Sequence, residues 1–287
     1  MASTMPAIRP ANGARIRLLT FPREHGAWGI LLVPLGTGAA IGLQPSSRIF
    51  PLFLFVIAAL ALFCLRTPVE SLLAASPLHP QTPAERHAVV RALFAYSLAA
   101  VATLVLLIGK ERAYGLLILG GAAAGIFFVQ AVLKKLGRET RMSAQLIGAL
   151  GLTSTAAAAY YVVTGRLDAT GLVLWAANWL FVANQIHYVQ VRIHSARSSS
   201  RMEKFSHARN FLAGEILVLI LLGSGWWMGL VSVWAVLAFV PILLRGFFWL
   251  LDSRPVPLEV RRLGLTELTH AVVFGVLFVV GFHLGGT

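Results

Sequence analysis

An all-α, polytopic membrane bundle of about nine transmembrane helices is the fold this sequence predicts. Three observations carry the prediction. Apolar residues make up 57% of the 287-residue chain. Charged residues make up only 12%, where a water-facing domain carries roughly 25%. The apolar residues are also gathered into runs near the length that crosses a bilayer, roughly 20 residues at 1.5 Å of rise each. A chain this poor in charge does not cover a water-facing surface of its size, which excludes a soluble globular or disordered protein. The formal net charge of +13 is not a nucleic-acid footprint either. Such a footprint needs basic residues on one water-exposed face, and here long apolar runs separate them.

Nine apolar stretches follow in order, at approximately 26–43, 49–65, 92–109, 113–133, 144–164, 170–190, 211–230, 231–251 and 271–285. Residues 1–20 form a basic segment with no apolar run, read as a cytoplasmic N-terminal segment and not as a cleavable signal. Residues 21–287 are read as one transmembrane domain. The seventh and eighth stretches meet around Gly229 and Leu230, which predicts a tight hairpin. In the fourth, Gly120, Gly121 and Gly125 with the alanines between them make a small-residue face, read as close helix packing. Cys64, the single cysteine, sits between Phe63 and Leu65 and reads as an inert buried thiol.

Basic residues resist translocation, so their distribution sets the orientation. The N-terminal segment and the alternate loops 66–91, 134–143, 191–210 and 252–270 hold nineteen Lys and Arg, against four on the opposite side. This split predicts a cell (inner) membrane protein with a cytoplasmic N-terminus and an external C-terminus. The cytoplasmic loops are also the long ones, so any chemistry is expected there. Four prolines in 66–91 predict a short helix over 68–75 followed by irregular chain.

Polar groups in hydrocarbon are costly unless partnered, which makes them site candidates. The sixth stretch ends in Asn184, Gln185, His187, Tyr188, Gln190, Arg192 and His194. Helical spacing puts Asn184, His187, Val191 and His194 on one stripe and Gln185, Tyr188 and Arg192 on the next. Arg23, Glu24 and His25 stand at the mouth of the first span, and Arg66 and Glu70 follow the second. Glu215 lies just inside the seventh, and its expected partner is Arg209 on the turn below or a basic residue of another span, Arg245 of the eighth being one that could pair with it. Eight histidines show no His-x-x-x-His pair on a helix, so no metal site is predicted.

The segment Pro22-Arg23-Glu24-His25-Gly26-Ala27-Trp28 resembles the opening signature of the YwiC-like family of bacterial membrane proteins. Arg66-Thr67-Pro68 and Tyr188-Val189-Gln190-Val191-Arg192-Ile193 resemble it too. The resemblance implies a membrane protein and assigns no reaction. A more distant likeness is to the UbiA-type prenyltransferases, on Val33-Pro34-Leu35-Gly36-Thr37-Gly38-Ala39 and Tyr160-Tyr161-Val162-Val163-Thr164-Gly165. That likeness implies a UbiA-like bundle whose cytoplasmic Asp-rich motifs hold Mg²⁺ and a prenyl diphosphate. This chain departs from the pattern: its two aspartates, Asp168 and Asp252, fall outside both regions. Mg²⁺ needs hard oxygen ligands, so no cofactor and no standard Mg²⁺-dependent transfer is expected.

The leading expectation is a cytoplasm-facing polar cavity binding an isoprenoid or lipid-phosphate ligand, either as a divergent UbiA-like transferase or as a binder. Arg23, Glu24, His25, Arg66, Glu70, Asn184, His187, Tyr188, Arg192 and Glu215 are the candidate contacts. The lipid bilayer is the expected partner, nucleic acid is not, and no protein partner is named. A small-molecule transporter and an assembly factor for another membrane complex stand beside that reading.

Overall fold

The computed structural model describes residues 12–22, 25–45, 47, 49–73, 78–137, 139–197, 201–251 and 259–285. Among them every regular element is helical. Seven helices are long and apolar enough to cross a membrane, and Gly26–Gly42 is a shorter apolar one. The helix over the sixth stretch, Ala169–His194, is 26 residues long but falls outside the seven because its second half is polar. A count of about nine therefore holds as an approximation: each stretch is helical, and the polar helix is the exception in composition.

The chain divides into two compact units, Met1–Glu24 with Phe53–Arg112, and His25–Leu52 with Ala113–Thr287. The first contains α1 (Asn12–Thr20), most of α3 (Ile49–Leu72) and α4 (Pro83–Gly109). One carboxylate organises it. Thr82 caps α4 by accepting from the Glu85 N–H, with Pro83 in the first turn where its missing N–H costs nothing. Glu85 then accepts from the Gln81 N–H at 2.8 Å and from Arg15 Nε at 2.7 Å, which fastens α1 to α4. Ser71 donates to the Leu19 carbonyl and ties α1 to α3.

Here the expected short helix over 68–75 is corrected. The α3 helix continues without interruption through Pro68 to Leu72. A helix already formed loses only one hydrogen bond to a proline near its end, and the last turn keeps an i,i+4 pair, Arg66 Nε to Glu70 Oε1 at 2.8 Å.

The second unit contains α2 (His25–Gly42), α5 (Gly115–Lys135), α6 (Arg141–Thr153), α7 (Thr155–Thr164), α8 (Ala169–His194), α9 (Arg201–Trp227), α10 (Val233–Leu237), α11 (Val240–Leu251) and α12 (Val260–Leu284). Its centre is a ring stack: Phe181 of α8 lies 4.0 Å from Phe274 of α12, and Phe239 and Phe278 close around them. Glycines let backbones touch. A Cβ on Gly38 of α2 would land on the Ala156 carbonyl of α7, and one on Gly281 of α12 on the Trp234 backbone of α10.

Two spans are interrupted. Between α6 and α7 the Ser154 hydroxyl donates to the Gly151 carbonyl and Trp175 Nε1 to that of Leu150, so side chains take carbonyls the ladder would use. Between α10 and α11 the break falls at Ala238–Phe239. The predicted hairpin is present, with Gly229 at φ +70° between α9 and α10.

The small-residue face of α5 is a further correction. Gly120, Gly121 and Gly125 are exposed, with no atom within 4 Å of a Cβ built on them. The α5–α6 contact is made instead by Gln130 and Phe127 of α5 against Gly148 and Gly151 of α6. The gap that permits close packing is on the partner helix.

Candidate functional site

Four helices of the second unit bring polar side chains to one level. Arg245 lies six residues before Leu251, the end of α11, and Glu267 seven after Val260, the start of α12. Glu215 lies seven residues past Ala208, where the apolar part of α9 begins. Arg245 and Glu267 are thus about 10 Å of helix rise from their helix ends, and Glu215 is about as far into the apolar part of α9. Asn184 of α8 meets them.

Arg245 is the hub. Its Nη1 donates to Glu267 Oε2 in a short ion pair, and its Nη2 donates to Asn184 Oδ1 at 3.3 Å. Its guanidinium carbon sits 3.9 Å from the centroid of the Tyr188 ring, so the aromatic face carries part of the cation's field. Asn184 turns its amide N–H to Glu215 Oε1 at 2.9 Å. The order Glu267–Arg245–Asn184–Glu215 is a continuous chain of donors and acceptors. Gln185 pins it from outside by donating to the Glu267 backbone carbonyl at 2.7 Å.

The chain is closed off from solvent but not closed on itself. Glu215 Oε2, Arg245 Nε and Glu267 Oε1 are buried with no hydrogen-bond partner among the described residues. The Arg245 and Glu267 side chains are only 9% and 10% exposed. Around them Trp249 packs edge to face on Tyr188 and Phe211, which tilt against each other, with centroids 5.9 to 6.4 Å apart. Arg192 stands at the outer edge, 5.9 Å from the Tyr188 and Trp249 rings. Backbone closeness sets the spacing: a Cβ on Gly246 would meet Glu215 Oε1 at 2.9 Å, and one on Gly214 would meet His187 Nδ1 at 3.0 Å.

Of the residues anticipated from sequence, Asn184, Tyr188 and Glu215 form the cluster, and His187 and Arg192 flank it. Both proposed stripes on α8 contribute: Asn184 and His187 meet Glu215 and Gly214 of α9, while Gln185 and Tyr188 meet Glu267 and Arg245, with Arg192 beside Tyr188. Arg66 and Glu70 belong to the other unit and bind each other. Arg23 and Glu24 lie outside the described residues, as does the side chain of His25. The expected Arg245–Glu215 pair is corrected: Arg245 pairs with Glu267 and reaches Glu215 only through Asn184. Glu267 escapes the sequence reading because 252–270 reads as a polar loop. Its signal is periodic: Leu263, Glu267, Ala271, Phe274 and Phe278 form the buried stripe of α12, one carboxylate among apolar groups.

Residues 21–160 match the model of a family described as YwiC-like protein. Over this stretch the chain is similar to that family. No curated protein and no solved structure matches it. The matched stretch holds α2, α3, α4, α5 and α6 and ends within α7. All four members of the polar cluster lie beyond it, so the cluster is described from this chain's own geometry.

Proposed function

We propose that the chain is a multi-pass carrier in the cell membrane and that the Arg245 cluster is its solute site. The observation that carries this reading is the set of buried, unpartnered atoms: Glu215 Oε2, Arg245 Nε and Glu267 Oε1. A purely structural ion pair inside a membrane repays its desolvation only when its remaining donors and acceptors are also satisfied. Here three are left for something that comes and goes. Interrupted helices support the same reading, because carriers place broken spans beside their solute sites. The α10–α11 break lies less than two turns from Arg245.

The lipid-phosphate reading fits this cluster poorly. Two carboxylates face one guanidinium, so the local formal charge is already −1, and a diphosphate adds several more negative charges. The nineteen-to-four split of basic residues supports a cytoplasmic N-terminus and a cluster toward the cytoplasmic ends of its helices.

Purified full-length protein in liposomes, assayed for uptake of labelled pyruvate, phosphate, glycine and putrescine under an imposed pH gradient, tests the proposal. At least one solute should accumulate above protein-free liposomes. Glu267→Gln should cut that rate by about tenfold or more, the factor expected when a charged hydrogen bond of about 1.5–3 kcal/mol is lost. Inert liposomes across the panel would rule the carrier reading out.

A further inference from the structure

We infer that Arg245 takes a small carboxylate or phosphate monoanion on the Nε–Nη2 edge of its guanidinium, together with one proton held by Glu215. The inference rests on the carrier reading and names the substrate class of the same site. A guanidinium presents one side-on fork, made of Nε and Nη2, whose two parallel N–H groups match the two oxygens of a carboxylate or phosphate. In Arg245 the protein's own carboxylate, Glu267, is on Nη1, outside that fork. The fork itself holds only a neutral amide oxygen, Asn184 Oδ1, at 3.3 Å, while Nε has no partner among the described residues. The side chain is nine-tenths buried, so water does not supply the missing acceptor for free. An open bidentate edge on a buried arginine is a site for a planar oxyanion.

Charge decides what accompanies the anion. Arg245, Glu215 and Glu267 sum to −1, and a monoanion alone would make −2 in a low-dielectric interior. One proton taken from water and placed on Glu215 restores −1. Glu215 is positioned for it: Oε1 is engaged by the Asn184 amide, while Oε2 is buried and unpartnered. Protonated there, Oε2 becomes a donor toward the anion, and the same proton leaves with it. Among the described residues, few groups bear on Glu215. From α8 they are His187, against the adjacent Gly214, and Tyr188, with Arg192 a turn further out; from α11 Arg245; and from α12 Glu267. Helix α10 brings no titratable residue.

Isothermal titration calorimetry on the full chain in phosphatidylcholine nanodiscs tests this, with pyruvate, inorganic phosphate and putrescine as probes from about pH 5.5 to about 8.5, the span between the ordinary carboxyl and thiol ranges. Pyruvate or phosphate should bind, and its affinity should fall as pH rises, approaching tenfold per unit for one linked proton. In Glu215→Gln, whose amide mimics the protonated acid, pyruvate, which stays a monoanion across this range, should bind without that slope. Arg245→Lys, which keeps the charge and loses the fork, should weaken binding by about tenfold or more. Melting temperature and gel filtration verify that each variant is folded. Putrescine binding in place of the anions, no binding of either anion, or an unchanged pH slope in folded Glu215→Gln would each overturn the inference. If putrescine or glycine still crosses the liposome membrane, the carrier reading survives that failure. If anions bind but no solute crosses, the carrier reading fails alone.

Discussion

Replacing Arg245 with methionine is expected to destabilise the protein by about 3–5 kcal/mol, the cost of leaving a buried countercharge alone. The substitution removes the cation between Glu267 and the Asn184–Glu215 arm. Two carboxylates then share one buried site with no positive charge. The Tyr188 ring also loses the guanidinium stacked 3.9 Å from its centroid, a contact worth about 0.5–2 kcal/mol. The penalty comes from the orphaned charges and not from lost packing, since methionine fills much of the arginine stem. A variant that neutralises all three groups, Arg245→Met with Glu215→Gln and Glu267→Gln, should therefore recover most of the stability. Thermal unfolding in detergent checks both: a large drop for the single variant and a return close to the wild-type value for the triple. A single variant that melts like the wild type would mean the cluster is more hydrated than its burial indicates.

Alanine at Gly38 is the second large effect. The new Cβ would fall on the Ala156 carbonyl, and the obstacle is backbone rather than a movable side-chain tip. Helices α2 and α7 must separate to admit it, at a cost of about 1–3 kcal/mol or more. Gly36, two residues earlier on the same helix, is exposed, and a methyl added there meets nothing within 4 Å. Alanine at that position should stabilise by about 0.5–1 kcal/mol, since it improves helix propensity and touches no neighbour. The pair makes the melting measurement self-controlled: opposite signs are expected at Gly38 and Gly36, and equal shifts would contradict the α2–α7 contact. Gly281→Ala should resemble Gly38→Ala, because its neighbour is the Trp234 backbone.

Much of the architecture was legible because hydrocarbon imposes one rule, an apolar run long enough to cross. That rule finds spans but not helix ends. It reads 252–270 as loop, whereas α12 starts at Val260, and it stops the second span at 65, whereas α3 runs to Leu72. Polar ends remain helical when their side chains find partners, and hydropathy does not count partners. The site was half legible for the same reason. Asn184, Tyr188 and Glu215 stand out as polar residues in apolar runs. Glu267 does not, being buried by the stripe around it rather than by its sequence neighbours. The Arg245–Glu267 pairing is tertiary, and composition favours the wrong carboxylate. The glycines of α5 show the converse, a packing pattern on a face that packs against nothing among the described residues.

The Arg245 cluster is proposed as a working site and not as a device for holding α8, α9, α11 and α12 together. The charge-free variant, Arg245→Met with Glu215→Gln and Glu267→Gln, separates the two, because it keeps the shape of the core while removing the chemistry. Solute uptake by this variant in liposomes, measured beside its melting temperature, decides between them. A working site requires a folded protein that melts close to wild type and takes up no more solute than protein-free liposomes. A folded variant that transports at the wild-type rate would reduce the cluster to a structural clamp.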